Sequence, residues 1–422
     1  MRIIVTGLVG QYAFGGVAWD YLQYVEGFRQ LGHEVFYLED TEMWPYDPIK
    51  NTISEDCSYN VRYLGEVMDR LGLGGRWIYR NAADASYHGV TEDEAKRFCA
   101  SADVYLNVSG CGWLRPEYLK IPKKLFLDSD PMFTQVALAS GKQDVIDRIR
   151  AHDFHFTFAE NMGAADCRVP ATGLNWIPTR QPIVLEWWEP ILENHAGVVA
   201  AVSGGKAVAP GESADSFTPK AFGAGSRPTT TGQVRNVFTT VMNWVSYKGC
   251  EYDGETWGQK DVEFMKFIDL PQRTDQKFEI AMGMGPGMKR PTELLEQKGW
   301  RIIEPSDHLP DPWTYRDYLL GSKGEWSVAK EGYVKSRSGW FSCRSACYLA
   351  LGRPCVLQDT GWSAHYPTGD GLFVFDTLEE AIAGIDEINA DYAHHSSEAR
   401  ALARQMFDAR KVLGAMLERI GA

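Results

Sequence analysis

Residues 1–40 read MRIIVTGLVGQYAFGGVAWDYLQYVEGFRQLGHEVFYLED. The β-branched run Ile3–Val5 predicts a strand. Gly7, Gly10, Gly15 and Gly16 follow it, and then Val17, Tyr21, Val25, Phe28 and Leu31 recur close to helical spacing. Gly32 stops that helix, and Glu34–Leu38 supplies the next strand. Strand, glycine loop, helix and strand in that order make a βαβ unit, which implies a parallel sheet with helices on its faces.

The same pattern continues along the chain. A helix is expected over Tyr59–Leu71 and strands over Val104–Val108, Lys124–Leu127 and His155–Phe158, apolar on both faces as buried parallel strands are. These pieces fill a first domain, residues 1–194. Residues 195–232 are rich in Gly, Ala, Ser, Pro and Thr and lose all periodicity, so they are expected to be a flexible connection or insertion. A second series over residues 233–390 has strands expected at Val237–Trp244, Phe278–Met282, Arg301–Ile303, Trp326–Val328, Cys355–Leu357 and Leu372–Phe375. Between them lie the amphipathic stretch Val262–Ile268 and helices at Pro291–Lys298, Pro312–Leu320 and Ser342–Leu351. Leu402, Met406, Leu413, Met416 and Ile420 stripe a last helical segment, 391–422, expected to pack back on the first domain. The fold class expected is α/β, two Rossmann-type doubly wound domains facing a central cleft.

A chain of 422 residues exceeds what one hydrophobic core usually supports. With 43 basic and 56 acidic side chains its formal charge is −13, which argues against broad nucleic-acid binding. No run approaches the ~20 apolar residues of a membrane span, and the opening strand runs into glycines instead of a secretory core, so no transmembrane segment and a cytoplasmic setting are expected. The eight cysteines form no CxxC pair and read as buried thiols. Cys343 and Cys347 lack a histidine at metal-site spacing, so no metal site is expected. Oligomeric state is left open.

The chemistry concentrates in Trp326–Gln358, where Lys330, Lys335, Arg337, Arg344 and Arg353 face a single acid, Glu331, in an otherwise acidic chain. A solvated charge run is the plain alternative. Against it stands Ser338-Gly339-Trp340-Phe341-Ser342, a glycine loop that opens an apolar helix. Glycine admits close approach of a ligand, and the helix start leaves free backbone N–H groups for a diphosphate. Ser345 belongs to the same turn. Arg344, a cation placed against the helix dipole, is best explained by an anion sharing the site, and Lys330 can approach that anion from the neighbouring loop. Asp359, Thr360 and Gly361 end the next strand, where open α/β sheets bind ligands; the alternative is an Asx turn closed by Gly361. In the first domain Gly15 and Gly16 face the cleft, and Asp128-Ser129-Asp130-Pro131 puts two carboxylates at a strand end. Asp130, held extended by Pro131, is the candidate general base, with a divalent cation as the other option. Glu39 and Asp40 keep a dinucleotide role open. Glu160 is a candidate for the cleft wall, and Trp176, Trp187 and Trp188 are either carbohydrate platforms or core.

From Ser338 to Thr360 the sequence resembles the donor-binding half of glycosyltransferases of the two-Rossmann-domain, or GT-B, architecture. The matching order is the glycine loop, a helix ending in Tyr348-Leu349-Ala350-Leu351-Gly352-Arg353-Pro354, and a strand leading to Asp359-Thr360-Gly361. Glu325-Trp326-Ser327-Val328-Ala329-Lys330 and Gly332-Tyr333-Val334 also resemble poorly characterised bacterial glycosyltransferases. The resemblance implies a nucleotide diphosphate sugar as donor substrate, no tightly bound cofactor, and an unidentified small-molecule or glycan acceptor. Two family features are missing: the glutamates that many retaining members space seven residues apart fall on Gly339 and Cys347, and no histidine lies between residues 1 and 32. The stereochemistry is therefore not implied. A non-catalytic nucleotide- or sugar-binding protein and, further off, a nicotinamide-dependent oxidoreductase are the alternatives.

Overall fold

The computed structural model describes residues 1–188, 234–285 and 289–422; the connection expected over 195–232 lies outside the described residues. In the first unit the strands are β1 (Arg2–Thr6), β2 (Glu34–Glu39), β3 (Tyr46–Asp47), β4 (Thr52–Ile53), β5 (Trp77–Arg80), β6 (Tyr87–His88), β7 (Val104–Val108), β8 (Lys123–Asp128), β9 (Phe154–Thr157) and β10 (Trp176–Pro178). Eight of them form one sheet in the order β10-β9-β8-β7-β1-β2-β5-β6, parallel except for the β5–β6 pair. In the second unit they are β11 (Val237–Asn243), β12 (Cys250–Tyr252), β13 (Glu255–Trp257), β14 (Lys277–Gly283), β15 (Arg301–Ile303), β16 (Gly324–Ser327), β17 (Cys355–Gln358) and β18 (Leu372–Phe375). There the sheet is parallel throughout, in the order β15-β14-β11-β16-β17-β18.

Both sheets therefore start in the middle, wind out to one edge, return, and wind out to the other. The chain reverses between β1 and β7 in the first and between β11 and β16 in the second, and at such a switch point the connections diverge and leave a crevice at the carboxyl ends of the strands. Ile3, Ile4, Val5 and their β7 partners Val104, Tyr105 and Leu106 are all buried, as the apolar runs required.

The two units are held in contact by helices. Asp311 caps the helix Pro312–Leu320, accepting from the backbone N–H groups of Trp313 (2.8 Å) and Thr314 (3.1 Å) with Pro312 at the first position. This helix packs on Gly15–Gln30 of the first unit. Of the C-terminal segment, Tyr392–Met406 lies against Cys343–Ala350 of the second unit, with Ala399, Leu402 and Ala403 in that core. The chain then crosses over: Ile183 and Asp408 form a β-bridge, and Ala409–Arg419 packs on Gly15–Gln30, with Ala409, Leu413 and Met416 in the first core. At that crossing a Cβ on Gly27 would stand 2.5 Å from Leu413, so the close approach depends on the missing side chain. No helix among the described residues is long and apolar enough to cross a membrane.

Candidate active site

At the switch point of the second sheet β16 ends in Ser327, and the chain runs on through Val328, Ala329 and Lys330. The helix Cys343–Ala350 points its N-terminus at the same place. Its cap residue, Ser342, is extended (φ −83°, ψ 135°) and makes no side-chain capping bond, so the first-turn N–H groups have no side-chain acceptor there. A cleft opens at this end, lined by Ser327, Ala329, Trp340, Ser342, Arg344, Ser345, Gln358, Thr360 and others. Ser345 is 1% exposed and its Oγ has no hydrogen-bond partner. A buried hydroxyl left alone costs about 1–3 kcal/mol, and here it stands at the positive end of a helix, in a cleft.

Cations gather round that point. The Arg344 guanidinium holds the fully buried Glu325 carboxylate, the Val241 carbonyl (2.8 Å) and Ser327 Oγ (2.7 Å). Lys330 Nζ donates to Asp130 (2.9 Å) and Tyr247 Oη (2.8 Å), over the Tyr247 ring at 4.4 Å. Lys260 completes the group. Burial, then the neighbouring charges of Arg344 and Lys330, hold its pKa well below the ordinary lysine value, so the protein alone gives this ammonium little support. An anion in the cleft would supply it.

Asp130 reaches the group from the other unit. It follows β8 on the first sheet and accepts from Lys330, Tyr247 and Tyr333, all of the second unit. Its neighbour Asp128 is structural. Buried at 1% exposure, the Asp128 carboxylate takes hydrogen bonds from the Asp130 N–H (3.0 Å), Thr134 Oγ1 (2.7 Å), Gln135 Nε2 (2.7 Å) and Thr157 Oγ1 (2.8 Å). Those bonds turn the loop so that Asp130 projects from it. Trp340 stacks on Tyr333 (4.5 Å between ring centres) and donates to the Ser129 carbonyl (3.1 Å).

Other sequence candidates lie near the cleft but make contacts within the protein. A Cβ on Gly15 would meet the Asp311 carbonyl at 2.2 Å, and one on Gly16 the Tyr315 ring at 2.9 Å; these glycines let the first helix dock on the second unit. Gly339 has φ +81°, and a Cβ there would stand 2.4 Å from Asn161 N. This glycine serves the approach of the loop Asn161–Ala164 as well as the cleft, and Ser338 O accepts from Asn161 N (3.1 Å). Asp359 accepts from the N–H of Gly361 (2.8 Å) and from Ser363 Oγ (2.8 Å), which is the Asx-turn geometry. Thr360 Oγ1 donates to the Trp340 carbonyl (2.7 Å), and Phe341 packs among Trp362, Tyr366 and Phe407. Glu160 binds Arg180 and Tyr366. Trp188 is fully buried against Trp19 (5.0 Å) and is core. Asp370, His394 and His395 bring potential metal ligands within 4.8 Å of one another, at the second unit's surface, outside the cleft.

Sequence reasoning missed Lys260, Tyr247 and Glu325. Lys260 opens the short helix Lys260–Phe264, whose Glu263 carboxylate binds Gln358 Nε2 at 2.6 Å. Nothing in the local sequence marks that long-range tie.

The corresponding crevice of the first sheet is filled. Glu39, 1% exposed, accepts from the N–H groups of Gly10 (2.6 Å) and Gln11 (2.8 Å). Asp40 is bound by Arg115 and by Tyr118 Oη (2.9 Å). Neither is free for a ribose.

No protein-family model matches the chain, and no curated protein matches its sequence. Solved structures do match in fold. An alpha-glucosyltransferase in complex with UDP and a 13-mer DNA superposes with a TM-score of 0.53 at 12% identity, covering 100% of both chains. The fold is GT-B. Sucrose-phosphate synthase from Thermosynechococcus elongatus matches with a TM-score of 0.52 at 11% identity, over 100% of this chain and 99% of that one. The Anabaena protein HepE, in complex with UDP and glucose, gives 0.51 at 10% over the same shares. At such identities the likeness is one of fold. In GT-B terms the cleft at Ser342–Ser345 lies on the C-terminal Rossmann unit and Asp130 on the N-terminal one.

Proposed function

We propose that the chain is a glycosyltransferase that moves a sugar from a nucleotide diphosphate sugar, held by the second unit, to an acceptor held mainly by the first. The observation that carries this reading is the unpartnered Ser345 hydroxyl at an uncapped helix N-terminus, in a cleft lined by Arg344, with Lys260 close to the charges of Arg344 and Lys330. A diphosphate satisfies all of these at once: oxygens for the hydroxyl and N–H groups, and charge for Lys260. That fold neighbours carry UDP supports the nucleotide class.

In the reaction the bond from the anomeric carbon to the diphosphate breaks, and charge grows on the departing phosphate. The helix terminus, Arg344 and Lys330 face that charge and stabilise it more than the ground state. Arg344 acts as a fixed dipole and charge, since Glu325 already holds its guanidinium. Lys330 is the mobile partner. Drawn to the diphosphate, it would release Asp130, which then accepts the acceptor's proton. Trp340, Phe341, Ser338, Gly339, Asp359, Thr360 and Gly361 frame the donor pocket, and Gly15 and Gly16 hold the first unit beside it. We place this chemistry in the cytosol, with the acceptor a small molecule or glycan.

Isothermal calorimetry with UDP, UDP-glucose and a panel of other nucleotides and nucleotide sugars tests the reading. Saturable binding of a nucleotide diphosphate is expected, weakened by charge removal at Lys260. Failure of every nucleotide to bind the folded chain would overturn it, and binding with no hydrolysis or transfer in the presence of acceptor extracts would reduce it to a binding protein.

A further inference from the structure

Away from the cleft, three side chains that can bind a metal meet where the loop before β18 touches the start of the helix Tyr392–Met406. Asp370 lies between Gly369 and Gly371, both at positive φ (102° and 72°), and the Gly369 N–H donates to the Leu372 carbonyl at 2.9 Å. A Cβ on Gly371 would stand 2.4 Å from Ala399 N and 2.8 Å from the His395 carbonyl, so the missing side chain lets this loop lie directly on the helix. His394 Nε2 donates to Asp370 Oδ1 at 2.8 Å, and both side chains are exposed. His395, next along the helix, is buried, with its ring edge-on to Phe373 and 5.1 Å from the His394 ring. One donor atom from each of the three lies within 4.8 Å of the other two.

An exposed His–Asp pair by itself is an ordinary surface contact that contributes little. The buried third group changes its meaning. His395 Nδ1 accepts a long bond, 3.3 Å, from the Gly371 N–H, so its lone pair is turned to the loop that carries Asp370 and is only weakly engaged there. Nitrogen and oxygen donors held tetrahedrally at about 2.0–2.2 Å from a metal stand roughly 3.3 Å apart. The exposed Asp370 and His394 side chains can turn to close that difference, while His395 is fixed by its packing. A helix start opposes a cation. Here Asp370, Asp391, which accepts from the His394 N–H at 3.1 Å, and Glu398, one turn on, offset it with carboxylates. Two imidazoles and one carboxylate, with room for water on the solvent side, suit zinc and its neighbours in the first transition row; magnesium and calcium take oxygen ligands.

We propose that Asp370, His394 and His395 form a site for a late first-row divalent ion such as zinc. The ion takes the place of the proton between His394 Nε2 and Asp370 and of the Gly371 contact at His395 Nδ1, with His394 bound as the neutral imidazole carrying its hydrogen on Nδ1. It fastens the loop before β18 to a helix that packs on Cys343–Ala350. This is a structural clip outside the cleft and does not depend on the donor reading.

The test is calorimetric titration of zinc chloride into the untagged full chain, stripped with a chelator and dialysed into a buffer that binds no metal. One saturable zinc per chain is expected, with a rise in melting temperature at saturation that magnesium does not produce. Asp370→Asn and His394→Asn replace exposed side chains and leave the core untouched. Each should weaken zinc binding by more than the roughly 10–100-fold that losing an outer hydrogen-bond partner of a metal ligand costs, and should abolish the melting shift. Absence of zinc binding by wild type overturns the proposal. So does wild-type affinity in both variants, which would place the ion on the cysteine thiols instead.

Discussion

Ser345→Ala separates a binding role from a structural one, because the two predict opposite signs. Ser345 is 1% exposed and its Oγ is unpartnered, so removing the hydroxyl relieves a desolvated group. The fold should gain about 1 kcal/mol, the low end of the cost of a buried unsatisfied polar atom. In the complex the same hydroxyl would donate to a charged phosphate oxygen, a bond worth about 1.5–3 kcal/mol. At about 1.4 kcal/mol per tenfold, the variant should bind UDP roughly 10–150-fold more weakly. Urea unfolding measures the first quantity and calorimetry with UDP the second. A variant that is less stable yet binds UDP as wild type does would refute the reasoning, for it would mean that Ser345 bonds within the protein and never meets the ligand.

Arg344→Ala strands the fully buried Glu325 and should cost about 3–5 kcal/mol of stability, partly recovered in the double variant with Glu325→Gln; a loss under 1 kcal/mol by urea unfolding would show that the pair is not buried in solution. Asp130→Asn should lower single-turnover transfer by about 10²–10⁴-fold with donor affinity nearly intact. Normal transfer rejects the base assignment, and parallel loss of both points to the tie with Lys330 as structural. Burial lowers the pKa of His152 from 6.5 to about 4. The neutral ring's contribution is therefore complete above pH 6.5 and should be lost as pH falls towards 4, by about 3 kcal/mol; a His152→Gln variant should lose that slope of stability against pH, and an unchanged slope would place the proton elsewhere.

The strands with apolar residues on both faces were legible because burial in a parallel sheet imposes that composition. Val104–Val108 and Leu372–Phe375 agree with the expected bounds, and Lys123–Asp128 extends its expectation by one residue at each end. Trp77–Arg80 carries Trp, Tyr and Arg and offered no such run. The hairpin β12–β13 was signalled by Asp253-Gly254, both at positive φ (53° and 74°), a turn pair that predicts a hairpin and went unread. Within the site, the glycine-to-helix junction was visible locally. Lys260 and Tyr247 were not, because what brings them to Arg344 and Asp130 is the return of the chain to the middle of the second sheet. Asp359 shows the converse: at a strand end a carboxylate either meets a ligand or closes its own turn, and only the bonds to Gly361 and Ser363 tell which.

The same topology in both units makes the difference between their two switch points informative. In the first, the loop after β1 presents the N–H groups of Gly10 and Gln11, the kind of donors that hold a phosphate elsewhere, and Glu39 fills that position with a carboxylate from β2. Burial raises its pKa against the lowering effect of the Tyr37 hydrogen bond and those N–H groups, and its carboxyl oxygens occupy those donors from within the protein. In the second, the helix start beside the corresponding strand ends has no side-chain cap and an idle Ser345 hydroxyl, with Lys260 near the charges of Arg344 and Lys330. A pair of Rossmann units with one anion site plugged from within and the other left open is asymmetric in the way a two-substrate cleft requires. The charged donor has one place to go, and the first-unit wall is left for a partner that brings no phosphate.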